Sequence, residues 1–439
     1  MQSRFKKALI TAASLLALAA GLAAWIFMPW PAVLGAAVLL ALWLRLSKLG
    51  RQALALTALG LASLPQRLGA ASVIVIGIAG VVGVLVAMLA MGEGFKQTLS
   101  ETGNDATAII LRGGSLAETN SSITRDQLTA IADLAGIARD SAGHSQISPE
   151  LSQPVNLPSK SSGTDVNALV RGVGAQAWSL RPNVKIIAGR KFDENLRELV
   201  VGQGAMSQFQ GVGVGREIDL ANHRWTIVGE FASGDAFDSE LWGGSEIIAS
   251  TYQRPVFQSV TVKLAGKDGF NDLKAAVAAD PRLKLDVMTT RDYFTKQSEG
   301  LTKFIKYLSW TIGAIMAVGA VFGALNTMYA TISVRSREIG TMRALGFPGT
   351  PVVVAVMLET MALALAGGLM GAGMVWLIFN GYTVSTLGNN FTQVVFHFRV
   401  SPELLWTGFK WALGIGLVGG LFPALRAARQ PVVDALRAL

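Results

Sequence analysis

The feature that most constrains this 439-residue chain is a set of long apolar runs that are nearly free of charge. A helix needs about 20 apolar residues to cross the hydrocarbon core of a bilayer. In that medium a segment must satisfy its own backbone polar groups, which selects helices. Residues 8–28, 32–44, 70–91, 308–334, 352–379 and 404–425 meet or approach this length and predict six spans. Composition agrees, with 51% hydrophobic and only 15% charged residues, where soluble domains carry about 25% charge.

The basic residues orient the spans. Arg4, Lys6 and Lys7 precede the first, and Arg45, Lys48, Arg51 and Arg67 lie between the second and third. Arg335, Arg337 and Arg343 lie between the fourth and fifth, and Arg426, Arg429 and Arg437 follow the sixth. By the positive-inside rule all four groups share the cytoplasmic side, with both termini. Residues 93–303 and the loop 380–403 then lie outside. The first run also has the marks of a cleaved signal peptide, namely Lys6-Lys7 and Ala-x-Ala steps. The apolar run that follows at once favours a hairpin instead. Residues 48–68 read as an interfacial helix ended by Pro65. The net charge of +9 sits at the ends of the apolar runs and forms no basic stripe among stacking aromatics, so nucleic acid is not an expected partner. With no cysteine, disulfides and thiol chemistry are excluded.

The chain thus reads as a polytopic α-helical membrane protein of about six transmembrane helices with an inserted α+β domain. Residues 1–47 form an additional N-terminal hairpin and 48–92 the interfacial helix and third span. Residues 93–303 form the external domain, and 304–439 a membrane domain with three spans. In the external domain, strands are predicted at 107–111, 166–170, 199–201, 217–220, 224–228, 259–264 and 284–287. Helices are predicted at 124–134, 269–279 and 291–305, the first with Thr124 as N-cap and Gln127 completing a capping box. The Ser/Pro-rich stretch 148–163 reads as a loop. Gly319/Gly323, Gly367/Gly371 and Gly416/Gly420 allow close helix approach within one chain or between two.

Catalytic machinery is not apparent. His144, His223 and His397 lack metal-ligand spacing. Asp235, Asp238 and Glu240 fit a solvated acidic loop better than a Ca²⁺ site. Gly211-Val-Gly-Val-Gly215 and Gly172-Val-Gly174 read as turn glycines, and no G-x-x-x-x-G-K-[ST] occurs. Glu359, an ionisable group within the fifth span, is a candidate for function or for internal pairing. A secondary carrier would need broken polar helices at the midplane, and only Glu359 and Asn326 are polar there.

Between the fourth and fifth spans lies Arg335-Ser-Arg-Glu-Ile-Gly-Thr-Met-Arg-Ala-Leu-Gly346. It predicts a short helix stopped by Gly346 and Pro348, with Ile339, Met342 and Leu345 as an apolar stripe suited to a groove in a soluble partner. This segment resembles the R-x-R-E-I-G-x-M-R-A-L-G signature of the FtsX/MacB-like permeases, the type VII ABC transporters. The end of the chain, Pro423-Ala-Leu-Arg426-Ala-Ala-Arg429-Gln-Pro431, resembles that family's P-A-x-R-A-A-R tail, with its proline two residues after Arg429. Gly189-Arg190, Leu199-Val-Val-Gly202, Trp225-Thr-Ile-Val-Gly229 and Asp238-Ser-Glu-Leu-Trp242 are similar to its external core domain.

The resemblance implies a permease of a bacterial inner membrane with a periplasmic domain. Two copies would pair, each resting on a cytoplasmic ATPase subunit that carries the ATP and Mg; no cofactor is expected in this chain. Arg335, Arg337, Glu338, Ile339, Met342, Arg343 and Leu345 would form the coupling helix, 335–346. ATP-driven closure of the ATPase pair would tilt the third and fourth spans and move the external domains. An adaptor of membrane-fusion type and an outer-membrane channel would extend such a pump. A signalling subunit that switches an external cell-wall enzyme, with nothing transported, is the other reading. Family members commonly have four spans, so the hairpin is additional.

Overall fold

A computed structural model describes residues 20–388 and 392–432. They divide into two compact units, one drawn from residues 20–90, 306–380 and 400–432, the other from residues 91–305, 381–388 and 392–399.

The first unit is helical. Its described part begins with α1 (Ala20–Phe27) and α2 (Trp30–Leu46), between which the chain bends by 108°. Pro29 stands at the N-cap of α2 and Pro31 in its first turn, where proline's fixed φ suits a helix start. Helix α3 (Lys48–Ala62) is capped by Ser47, whose Oγ accepts from Gly50 N at 2.8 Å. A short 3₁₀ turn, Leu64–Arg67, carries Pro65 and leads into α4 (Leu68–Thr102), of 35 residues.

Among the described residues four helices are long and apolar enough to span a membrane: α4 with its preceding turn, and α10, α12 and α13 below. Of the six expected spans, the first falls largely on residues 8–19, outside the described residues. Among the described residues, α1 and α2 reach spanning length only when taken together.

The second unit is built on a mixed sheet. Its elements in chain order are β1 (Thr107–Arg112), α5 (Arg125–Ala132), β2 (Ile147–Pro158), β3 (Asp165–Val173), α6 (Ala177–Leu180), β4 (Lys185–Gly189), β5 (Glu198–Gly202), α7 (Gln203–Gln208), β6 (Glu217–Leu220), β7 (His223–Ala232), β8 (Glu240–Gly244), α8 (Ser245–Thr251), β9 (Ser259–Lys263), α9 (Gly269–Ala279) and β10 (Leu285–Thr289). The strand order is β10-β1-β9-β2-β3-β8-β5-β7-β4, with β6 added on β7. The capping box of α5 is present, with Thr124 and Gln127 in their expected roles.

Strand β2 corrects the loop expected at 148–163. Residues Ile147 to Glu150 pair with β9, and Leu151 to Pro158 pair with β3. Each half is paired along one side, so its prolines Pro149 and Pro154 can sit where no ladder N–H is needed. This strand joins two apolar cores. One lies around Ile110, Val260, Val262 and Leu273, the other around Val170, Val201, Trp225 and Leu241. Gly172, expected in a turn, lies within β3, where an added Cβ would stand 2.9 Å from Ser245 Cα. Gly211 and Gly215 are turn glycines with φ of +75° and +82°.

From β10 the chain enters α10 (Thr290–Val334), of 45 residues. Then follow α11 (Ser336–Ala344), α12 (Gly349–Phe379), a hairpin of β11 (Thr383–Leu387) and β12 (Gln393–His397), and α13 (Pro402–Arg429). At 1.5 Å per residue, α4 and α10 are about 50 and 70 Å long, against a hydrocarbon core of about 30 Å. Both contribute residues to each unit.

In the helical unit, glycines set the closest approaches. A Cβ on Gly367 would lie 2.7 Å from Val75 O, and one on Gly371 would collide with Ala79 O, both on α4. Gly416 and Gly420 similarly admit Ala364 and Thr360 of α12 to α13, at 2.5 and 2.8 Å. These two pairs serve packing within the chain, whereas among the described residues Gly319 and Gly323 have no such neighbour within 4 Å.

Candidate functional site: the α11 helix and its anchors

Helix α11 occupies nine residues between two long helices. Its polar, charged sequence ends at Leu345, and Gly346 adopts a φ of +95°, the left-handed conformation that terminates helices and favours glycine. Arg335 is the N-cap residue.

The apolar stripe is divided. Ile339 is only 8% exposed. Together with Met342 it lines a small cavity closed by Leu56 of α3 and Val352, Ala355 and Val356 of α12. Leu345 is 75% exposed. The expectation that all three need an outside groove is therefore corrected: helical spacing puts them on one side, but that side is broad enough for Ile339 to turn inward while Leu345 does not. Arg337 and Glu338 are exposed. Arg343 donates to Gln430 O, which follows α13 directly.

Glu359 is buried within α12 and accepts from two guanidinium groups, Arg67 at 3.1 Å and Arg335 at 2.9 Å. Arg335 also holds Glu338 at 3.2 Å. The internal pairing left open by the sequence is thus realised, and it draws Arg335 away from the surface.

The C-terminal residues lie close by. Arg426 stacks over Tyr329 at 5.4 Å. It lines an open hollow with Arg429, Pro431, Ser333 and Ser336. Pro423 is buried inside α13.

The second unit holds a buried charge cluster that no sequence signal pointed to. Arg171 on β3 meets Glu118 at 2.9 Å, Glu150 of β2 at 3.1 Å and Glu240 of β8 at 2.7 Å. Arg181 joins Glu150 at 2.7 Å. Ser259 donates to Glu118 at 2.6 Å and the Trp242 indole to Glu240 at 2.8 Å. Burial alone would raise the Glu118 carboxyl, but Arg171 overrides it and holds the group below its ordinary value. The cluster sits where β2 changes partners, and no spacing rule unites residues so far apart in sequence.

Asp235, Asp238 and Glu240 are not a solvated loop. Asp235 and Glu240 are buried. Asp235 accepts from Asn183, Ser233 and Phe237 N at 2.7, 2.7 and 2.9 Å. Among the described residues no group of three His, Cys, Asp or Glu is placed to hold a metal ion.

A helical unit with spans long enough for a membrane, a mixed-sheet domain inserted between two of its long helices, and a short charged helix between two spans defines a polytopic membrane protein with an inserted α+β domain. Comparison with known proteins makes this specific. Residues 71–280 match the MacB-like periplasmic core domain and residues 310–432 the FtsX-like permease C-terminal domain. The macrolide export ATP-binding/permease protein MacB of Bordetella avium is 26% identical over 83% of this chain and 56% of its own length. The Neisseria gonorrhoeae protein of the same name is 26% identical over 62% of this chain and 44% of its own. The chain spans about half the length of these curated relatives. The periplasmic region of MacB from Actinobacillus actinomycetemcomitans aligns over 43% of this chain and 91% of that structure, at 13% identity and a TM-score of 0.34. The chain belongs to the FtsX/MacB-like ABC permeases, membrane proteins with a periplasmic domain.

Proposed function

We propose that this chain is the transmembrane subunit of an ABC transporter working by mechanotransmission. Two copies pair, each seated on a cytoplasmic ATPase subunit that binds MgATP. Closure of the ATPase pair displaces α11, and α4 and α10 carry the displacement to the periplasmic domain. Export proceeds with a membrane-fusion adaptor and an outer-membrane channel. Both termini face the cytoplasm, on the side marked by the basic residues. Macrolide export, the activity in the relatives' name, is the first substrate class to test.

The observation that carries this reading is the exposed surface of α11: Arg337, Glu338 and Leu345 project outward from a helix whose Ile339 is anchored inside. A charged rim around one protruding leucine suits a groove in a soluble protein. The lengths of α4 and α10, well beyond a bilayer's hydrocarbon, support transmission along stiff helices.

The test is purification of the tagged permease from native membranes. An ATP-hydrolysing companion is expected to co-purify, and Glu338→Lys and Leu345→Asp to lower permease-stimulated ATP hydrolysis roughly tenfold or more, the scale of losing one well-buried contact. Expression and membrane insertion should be unchanged. Absence of any such companion, or full stimulation in both variants, overturns the reading. Recovery of a cell-wall hydrolase in place of an adaptor turns it into the signalling alternative.

A further inference from the structure

Glu359 is only 3% exposed, and each carboxylate oxygen has its own arginine. Oε1 accepts from Arg67 Nη2 and Oε2 from Arg335 Nη1. Arg67 closes the turn before α4, and its Nη2 also donates to Ser63 Oγ at 2.7 Å and Gly60 O at 3.2 Å. A Cβ on Gly60 would stand 2.6 Å from Glu359 Oε2 and 3.4 Å from Arg335 Nη1. Glycine at the end of α3 therefore leaves the room in which the three side chains meet.

We infer that Glu359 is a positioning residue: it fastens the base of α4 to α11, so that one displacement of α11 drives both long helices. This rests on the proposal that a cytoplasmic partner moves α11. Helix α10 is joined to α11 directly through Arg335 by the main chain. Helix α4 lies more than two hundred residues away in sequence and has no such link; the Arg67–Glu359–Arg335 triad supplies one. The joint is stiff because parting either pair would leave a buried charge uncompensated. It also assigns Arg335, with a side chain 14% exposed, to internal fastening rather than to contact with a partner.

The experiment uses the complete permease–ATPase complex in lipid nanodiscs. The sequence has no cysteine, so nitroxides can be placed at Glu101→Cys and Glu299→Cys, exposed positions on α4 and α10. The distance between them is read by pulsed electron paramagnetic resonance with and without ATP. An ATP-dependent shift is expected in the otherwise native chain. It should be lost in Arg67→Met and in Glu359→Gln, while the ATPase still co-purifies and ATP is still hydrolysed. Arg67→Lys, which keeps the charge, should restore it. A shift that survives Arg67→Met overturns this inference alone, and this variant carries the test where Glu359→Gln fails to insert. No shift in the native chain overturns the mechanotransmission reading and this inference with it.

Discussion

At the scale of the residue, buried charge is the feature with the largest consequences. Burial raises the Asp235 carboxyl from 3.8 to about 6. A group that binds its proton more tightly folded than unfolded contributes stability that is fully present below about pH 4 and is lost as pH rises through about 6. The difference corresponds to roughly 3 kcal/mol. Glu118, lowered by Arg171, has the opposite sign: its contribution is present above the ordinary carboxylate value and is lost as pH falls. Comparing Asp235→Asn with the native chain isolates the first effect. Thermal unfolding followed by tryptophan fluorescence from pH 4 to 7 should show a smaller pH-dependent fall in the variant. An unchanged profile would remove Asp235 as the cause. None of this was legible in the residues, because Ser-Gly-Asp-Ala-Phe-Asp-Ser-Glu has the composition of a surface loop. Its burial comes from Phe237 within it and Trp242 just after it, whose rings pack into one core. Glu359 was legible as an anomaly, since a carboxylate in an apolar run demands a partner; which partners it found was not.

At the scale of the element, periodicity located seven of the ten strands of the main sheet and the longer helices, but missed β2, β4, β8 and the short helices α6, α7 and α8, which are too brief to show a period. Strand β2 was hidden by its serines and prolines, which are tolerated because each half pairs on one side. Hairpin β11–β12 was hidden by its place between two spans, where a plain loop would serve equally well. The glycine steps were visible, but not what they face. A Cβ at Gly371 would meet the Ala79 carbonyl, whereas among the described residues nothing lies within 4 Å of a Cβ at Gly373. Gly371→Ala is therefore expected to destabilise the helical unit by about 1–3 kcal/mol, the scale of overpacking, and Gly373→Ala by far less. Thermal inactivation of the two variants in detergent checks this, and equal losses would show that α4 and α12 approach less closely than described.

At the scale of the whole molecule, distant segments are brought into single cores. The second unit takes in Gly381–Arg399 as well as Met91–Ile305. Phe396, 1% exposed, packs edge-on against Phe95 at 5.6 Å, beside Leu99 and Ala236. Ser239 Oγ accepts from Val395 N at 2.7 Å, tying the hairpin to the sheet domain. Phe396→Ala should cost about 3–5 kcal/mol and lower the unfolding temperature of this unit. A variant that melts like the native chain would mean that the hairpin is not part of this core.

The sequence by itself determined that the chain enters a membrane, that a sheet domain interrupts the helices, and that a short charged helix lies between two of them. Hydropathy, periodicity and motif spacing are local properties, and they survive without knowledge of neighbours. Only the tertiary structure decided that Ile339 turns inward, that Arg335 and Arg67 share Glu359, and that Arg171 gathers three carboxylates. Each depends on which distant side chain fills the space opposite, because burial makes an unpaired charge or an empty volume costly wherever its partner lies along the chain.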